Sequence, residues 1–444
     1  MHKGGAVDSI SNYRPISILP LFSKIVEKVI NSRIINHLHK YQLISANQYG
    51  FQRGKSTESA LLNIREKLIS NIENQSYTIG IFVDFNKAFD SIKHNILFDK
   101  LPHYGIRGLS LNLLRSYLSN RIQFVVVNSI ASDTEYIKFG VPQGSILGPI
   151  LFLLYINDIV AIPHTPDIVL YADDTSVFFT SRDLSSLIPV TNAWLKNLST
   201  WLDANQLLLN VNKTKYIVFS AINRPVNLTT EIVFQSRSLE RVTEYKFLGV
   251  HFHENLRWTC HVNFVKRNIA QSIGMLNRFR ALLPIWLKRQ LYFTTVHSRL
   301  HYCLLVWGVT TKCNMISLYL MQKKSIRFIQ NLSSRDHTSP YFEQHRILNI
   351  EALYNQRLSE VIFSQAKTDR ELFLSTYTNT DAHYNFRNIN FIKIRTRTNY
   401  GTQLLSWQIP NLLNLHPGLI DVIDHNSNLL TFRKQSKTYF LLSA

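Results

Sequence analysis

The sequence predicts an α+β chain, with a mixed strand-and-helix unit of about 250 residues followed by a basic helical unit. Three observations carry this. Thr78 to Phe85 (TIGIFVDF) is a near-continuous β-rich run, as a central strand covered on both faces requires. Two more apolar runs, Asp167 to Tyr171 and Thr175 to Thr180, flank Ala172-Asp173-Asp174 and read as strands broken at a tip. From Cys260 onward the pattern turns helical, and lysine and arginine accumulate on it.

In chain order, Pro20 precedes Phe22, Ile25, Val26, Val29 and Ile30, the spacing of one buried helical face with proline at its first turn. Gln123 to Val127 and Tyr136 to Phe139 read as short strands joined by a polar loop. Ile146 to Ile159 is a helix entered through Gly144-Ser145, and Ser185 to Gln206 is a long amphipathic helix. Tyr216 to Phe219 and Phe247 to Phe252 are strands. Segments 261–282, 287–300 and 316–331 are helices bearing Lys266, Arg267, Arg278, Arg280, Lys288, Arg289, Lys323, Lys324 and Arg327. Farther on, Lys393, Arg395 and Arg397 alternate with Ile392, Ile394 and Thr396, which predicts a strand with one basic face.

Lysine and arginine number 49 against 29 acidic residues, a net charge of +20 although only 18 % of residues are charged. So lopsided a sign points to a polyanion, above all nucleic acid. Cys260, Cys303 and Cys313 are too few and too scattered for a disulfide framework and match no zinc spacing, which suits a reducing intracellular compartment, nucleus or cytoplasm. No signal-peptide run follows Met1, and the longest apolar stretch, Ile150 to Ile156, is far below the roughly 20 residues that span a bilayer. No membrane partner is expected.

The chemically informative residues are carboxylates where packing has no use for them. Asp84 ends an apolar strand, and Asp173 and Asp174 stand side by side between two others. Adjacent like charges are costly unless something positive binds between them, and hard carboxylate oxygens suit Mg²⁺. Two ions roughly 3.5–4 Å apart are the arrangement for in-line phosphoryl displacement. The plain alternative for Asp173-Asp174 is a β-turn, since aspartate is a common turn residue. Spacing alone does not choose between them. GFQRGKS over 50–56 looks like a phosphate-binding P-loop but has three residues between its glycines where four are needed, and no strand precedes it. The spacing argues against a Walker-type nucleotidase, although Arg53 and Lys55 suit phosphate contacts.

Seven blocks occur in order: NYRPISILP over 12–20, QYGFQRGKST over 48–57, FVDFNKAFD over 82–90, GVPQGSILGP over 140–149, YADD over 171–174, NVNKT over 210–214 and FLGV over 247–250. Together they resemble the ordered motifs of a reverse transcriptase, in the style of jockey-like non-LTR retrotransposons. The resemblance implies a right-hand polymerase fold: fingers and a split βαβ palm over 1–253, a helical thumb over 254–335, and a C-terminal region of unassigned role over 336–444. The thumb-side likeness includes Trp258, His261 and the stretch 302–307. It implies an RNA-directed DNA polymerase that extends a primer 3′-hydroxyl on an RNA template with dNTPs and two Mg²⁺, with Mn²⁺ as a possible substitute.

By the same resemblance Asp84, Asp173 and Asp174 hold metal, and Phe85 lends its backbone carbonyl. Phe89 screens the sugar; on the residues alone it is equally a core side chain. Gln143 and Gly144 contact template and nucleotide, and Lys213 protonates the leaving pyrophosphate. Leu248 and Gly249 form the primer grip, and Arg14, Arg53 and Lys55 meet template and triphosphate. Lys266, Arg267, Arg278 and Arg280 are the expected thumb contacts to nucleic acid. One departure is that Gln52 follows Phe51 where many members carry arginine, moving the cation to Arg53. With neither an upstream endonuclease nor a terminal Cys/His knuckle in view, the chain is expected to be the polymerase and C-terminal part of a larger element product. A binding remnant that keeps the fold without catalysis is the alternative.

Overall fold

The computed structural model describes residues 16–127, 129–228, 230–378 and 391–442, together with Ala6, Asp8 and Tyr13. The chain forms two compact units, one of Met1–Ala60, Thr78–Val218 and Val226–Val242, the other of Leu61–Tyr77, Phe219–Pro225 and Thr243–Ala444.

The first unit is built on a five-stranded sheet. Its strands are β1 (Tyr77–Val83), β2 (Asp167–Tyr171), β3 (Asp174–Ser181), β4 (Lys215–Phe219) and β5 (Glu240–Arg241), in the spatial order β5-β4-β1-β3-β2. β1 is central, and its residues from Thr78 to Val83 are all buried, as its apolar run requires. β2 and β3 form an antiparallel hairpin in which Tyr171 pairs with Asp174. The helix α2 (Leu147–Ile156) is buried at nine of its ten positions, and α3 (Leu184–Ala204) buries one stripe. Asp183 caps α3, accepting hydrogen bonds from the backbone N–H groups of Ser185 and Ser186 at 3.1 Å each.

The first helix, α1 (Leu21–Lys40), reverses the expected face. Phe22, Ile25, Val26 and Val29 are exposed and Ile30 is half-buried, whereas Glu27 is buried. The reason is electrostatic. The Glu27 carboxylate accepts from the backbone N–H of Ile146 at 2.7 Å and of Leu147 at 3.4 Å, at the amino end of α2, where the helix dipole favours an anion. Satisfying orphan amides of a buried helix outweighs hiding the apolar stripe. Two exposed antiparallel pairs follow, Ile122–Gln123 with Glu135–Tyr136 and Val126–Val127 with Ile130–Ala131.

In the second unit the expected single strand Phe247 to Phe252 is a hairpin of β6 (Glu244–Phe247) and β7 (Val250–His253), turning on Leu248 and Gly249. The rest is mainly helical and includes α4 (Thr259–Asn277), α5 (Ile285–Tyr292), α6 (Lys312–Gln330), α7 (Ile350–Thr368) and α8 (Leu429–Leu442). The expected helix 287–300 is interrupted by a π-helical turn at Phe293–His297. No strand forms over 392–397; that stretch is irregular, with Lys393 Nζ donating to Asn411 Oδ1 at 3.1 Å. Alternation there has no partner strand to pair with. No helix among the described residues is long and apolar enough to cross a membrane.

The expected thumb cations divide. Arg267 and Arg278 are exposed and Lys266 is half-exposed. Arg280 instead donates to Asn331 Oδ1 at 3.3 Å and to the carbonyls of Arg327 and Leu332 at 3.2 and 2.6 Å, closing the end of α6. Arg280→Ala is therefore expected to lower stability by about 1.5–3 kcal/mol, the range for hydrogen bonds to charged groups, as read by denaturant unfolding. Lys266, Arg267 and Arg278 neutralised together are expected to leave stability within experimental error and to flatten the dependence of nucleic-acid affinity on salt. An unchanged slope removes them from the nucleic-acid face.

Candidate active site

The sheet determines where the carboxylates emerge. Thr78 Oγ1 lies 3.2 Å from Thr180 Oγ1, and the rings of Phe82 and Phe178 are 6.2 Å apart. As β1 advances, its neighbour on β3 moves backward in number, so the two strands run antiparallel. The end of β1 therefore meets the start of β3. Asp84 follows β1 directly, Asp174 opens β3, and Asp173 lies in the turn between β2 and β3, so all three come to one end of the sheet. Asp84 and Asp173 are half-buried and Asp174 is exposed. Among the described residues, no group of three His, Cys, Asp or Glu side chains is drawn together so as to hold a metal ion. The backbone gathers the carboxylates, and their side chains do not converge on one point. The donor set, hard carboxylate oxygens at the open end of a sheet, fits Mg²⁺.

Backbone contacts hold Asp84 from the side of the 208–214 loop. Asn210 N–H donates to the Asp84 carbonyl at 2.8 Å, Asp84 N–H donates to Thr214 Oγ1 at 3.2 Å, and Asn86 N–H donates to Leu208 O at 2.8 Å. These bonds flank the antiparallel bridge of Phe85 with Leu209 and leave the Phe85 carbonyl on the opposite edge of the strand. The same loop carries Lys213, which is exposed. Thr214 is fully buried, so the loop is anchored beside Lys213.

The β2–β3 hairpin is clamped from below by a segment whose motif the sequence revealed but whose task it did not. Tyr49 N–H donates to Leu170 O at 2.7 Å, and Leu170 N–H donates to Asn47 O at 2.9 Å. The Gln48 side chain, 1 % exposed, accepts through Oε1 from Gly50 N–H at 2.8 Å and from Ala172 N–H at 3.1 Å. Ala172 has φ +55°, a left-handed conformation that costs an alanine roughly 1–2 kcal/mol, and the Gln48 oxygen fixes its amide there. Gly50 lies against the turn itself: a β-carbon on it would overlap Ala172 N and reach 3.0 Å from the Tyr171 carbonyl carbon.

A second coupling joins Asp90 to the 140–144 loop. Gln143 Nε2 donates to Asp90 Oδ1 at 2.7 Å, and Val141 N–H donates to Phe89 O at 3.0 Å. Gly140 is at φ +85°, and a β-carbon there would lie 2.9 Å from Asp90 O. Gly144, at φ +114°, is exposed. Phe89 is half-buried, its ring stacked on the buried Phe152 of α2 with centroids 4.3 Å apart. It is thus anchored on one face and open on another.

Of the remaining candidates, Arg53 is exposed. Lys55 folds back to donate to the carbonyls of Ala46 and Gln48, the latter at 2.9 Å, and burial lowers its pKa. It braces the clamp segment. Arg14 lies outside the described residues. Leu248 at φ +44° and Gly249 at φ +82° make a tight turn with both central residues left-handed. Tyr302 supports that turn, its hydroxyl donating to Leu248 O at 2.7 Å.

A family model described as Reverse transcriptase (RNA-dependent DNA polymerase) matches residues 1–252. A protein named probable RNA-directed DNA polymerase from transposon BS of Drosophila melanogaster is 26 % identical over 385 residues, covering 80 % of this chain and 40 % of the relative. The RNA-directed DNA polymerase from mobile element jockey of the same organism is 27 % identical over 342 residues, covering 74 % and 37 %. The chain thus spans about 40 % of the length of the curated relatives it matches. Among solved structures, apo telomerase from Candida tropicalis aligns with a TM-score of 0.41 and 13 % identity, over 75 % of this chain and 55 % of that one.

Proposed function

The chain belongs to the reverse transcriptase family, with its right-hand polymerase fold, and on that footing we propose that it extends a primer 3′-hydroxyl on an RNA template with dNTPs. The observation that carries this reading is the arrival of Asp84, Asp173 and Asp174 at one end of the sheet. Residues 1–253 act as fingers and palm and 254–335 as the thumb. In the reaction the primer 3′-hydroxyl loses its proton to solvent as its oxygen bonds to the α-phosphorus of the dNTP, and the bond to the pyrophosphate oxygen breaks. Two Mg²⁺ ions held by Asp84, Asp173, Asp174 and the Phe85 carbonyl would supply neutralisation of the charge that develops on both oxygens.

The chain's own residues position the reactants. The Gln48 clamp fixes the turn bearing Asp173, and the 208–214 loop fixes Asp84. Lys213 delivers a proton to the departing pyrophosphate. Gln143 and Gly144 receive the base pair, the glycine leaving room where a side chain would intrude. Primer extension on an RNA template tests this. Stepwise addition of complementary dNTPs supports the reading, whereas tight binding without extension favours a non-catalytic binding remnant.

Phe89 sets the sugar preference. Its ring, held by Phe152, fills the space a 2′-hydroxyl needs, and that hydroxyl distinguishes ribo- from deoxyribonucleotides. Phe89→Val is expected to admit rNTPs while dNTP use persists, and to lower stability by about 1–4 kcal/mol as a large-to-small packing change. Single-nucleotide incorporation of each class beside a thermal melt checks it. Lost stability with unchanged sugar selection reduces Phe89 to packing.

A further inference from the structure

In the second unit a cavity of about 380 Å³ opens among the π-helical turn at Phe293–His297, α7 and α8. Arg357, Arg433, Lys434 and Lys437 line it, with His297 and His301, against one acid, Glu360. Glu360 is itself committed. It pairs with Arg357 and, at 2.9 Å, with Arg433, so it orients two guanidinium groups at the wall and leaves the lining strongly positive. Burial lowers the pKa of the half-buried Lys437, and the nearby Arg289 and Arg346 add to the effect. Cations that outnumber the acid beside them raise one another's cost, and a bound anion would offset it.

Side-chain contacts tie two of the walls together. Phe363 of α7 stacks on Phe432 of α8 with centroids 4.5 Å apart, and Gln356 Nε2 donates to the Arg433 carbonyl at 3.1 Å. The third wall is a π-helical turn, a local widening that recurs at functional sites. Hydroxyls stabilise it: Thr295 Oγ1 donates to Leu291 O and Ser298 Oγ to Thr294 O, each at 2.6 Å. The widened turn sets Phe293 and His297 into the cavity lining, with Lys437 Nζ 5.6 Å from the Phe293 ring centroid. A guanidinium fork matches the geometry of phosphate oxygens, and the lysines add mobile point charges beside it.

We propose that this cavity binds the phosphodiester backbone of a single nucleic-acid strand, through Arg357, Arg433, Lys434 and Lys437. A recess of this size admits a phosphate and sugar of a flexible strand and not a rigid duplex. The site gives the C-terminal region a task separate from nucleotide addition, and it stands whether or not the chain polymerises.

The test is fluorescence anisotropy of the full chain with a 20-nucleotide single strand, as RNA and as DNA, and with the corresponding duplex, across a salt series. Lys434→Ala/Lys437→Ala is expected to weaken single-strand binding several-fold at 0.15 M salt. It should also reduce the slope of log affinity against log salt by about 0.7 per lost phosphate contact. Lys434→Glu, at an exposed position, keeps the test informative if the double variant misfolds, and should weaken binding in the same direction. Equal losses on RNA and DNA identify the backbone alone, and a larger loss on RNA adds the 2′-hydroxyl; both support the site. Unchanged affinity and slope for Lys434→Glu and for a folded double variant overturn it, as does displacement of the strand by micromolar dATP, which would make the recess a mononucleotide site.

Discussion

Asp173→Asn is expected to abolish nucleotide incorporation while leaving RNA affinity within about two-fold of wild type. Asp173 lies in the two-residue turn of the β2–β3 hairpin, where amide replaces carboxylate at nearly the same volume and the fold has no reason to change. What is lost is one negative charge from a set of three at the end of the sheet. Removing one preorganised electrostatic element from an active site costs roughly 10²–10³ in rate, and weakening the hold on a catalytic cation should cost more. Rapid-quench incorporation of one complementary dNTP, beside an RNA-binding isotherm, measures both quantities. Near-wild-type incorporation would remove Asp173 from the chemistry.

Gly50→Ala is expected to have the next largest effect, a loss of incorporation of roughly a hundred-fold or more with RNA binding retained. The added methyl overlaps the Ala172 backbone, which cannot yield as the end of a flexible side chain would. The turn must shift, and displacements of about 1 Å at a reacting group can cost on the order of 10²-fold. Gln48→Met, which removes the acceptor of two backbone amides but keeps the volume, should act in the same direction and less strongly. Gln48→Glu retains an acceptor oxygen and should recover part of the loss. A turn that only needed packing would respond to Gln48→Met and Gln48→Glu alike.

Much of this arrangement is legible in the sequence. The strand at 78–85, the tip at 172–174 and the buried helix after Gly144 all declare themselves by apolar runs with abrupt polar ends. Local pattern fails where a distant partner decides. The stripe of Phe22, Ile25, Val26 and Val29 reads as core, yet α1 turns Glu27 inward because Ile146 and Leu147 need an acceptor, a pairing no local pattern encodes. Lys55 reads as a phosphate contact, and two of its three donors go to the Ala46 and Gln48 carbonyls, partners that the motif alone does not disclose. Arg280 reads as a surface cation and closes a helix end. Gln48 and Gly50 were visible as letters of a motif, but their task depends on the approach of residues 47–50 to β2, more than a hundred residues away. The strand expected over 392–397 fails for the opposite reason: alternation satisfied the rule for a sheet face, and no neighbouring strand supplies the ladder.

The most direct test is single-turnover addition of one complementary dNTP to a primer annealed to RNA, with Mg²⁺ titrated and wild type set beside Asp84→Asn at saturating nucleic acid. Wild type is expected to extend with a saturable Mg²⁺ dependence, and Asp84→Asn to bind equally well and fail to extend at any Mg²⁺ concentration. Equal rates for the two proteins, or a wild-type chain that binds primer–template and never extends it, would contradict a polymerase site at the end of this sheet.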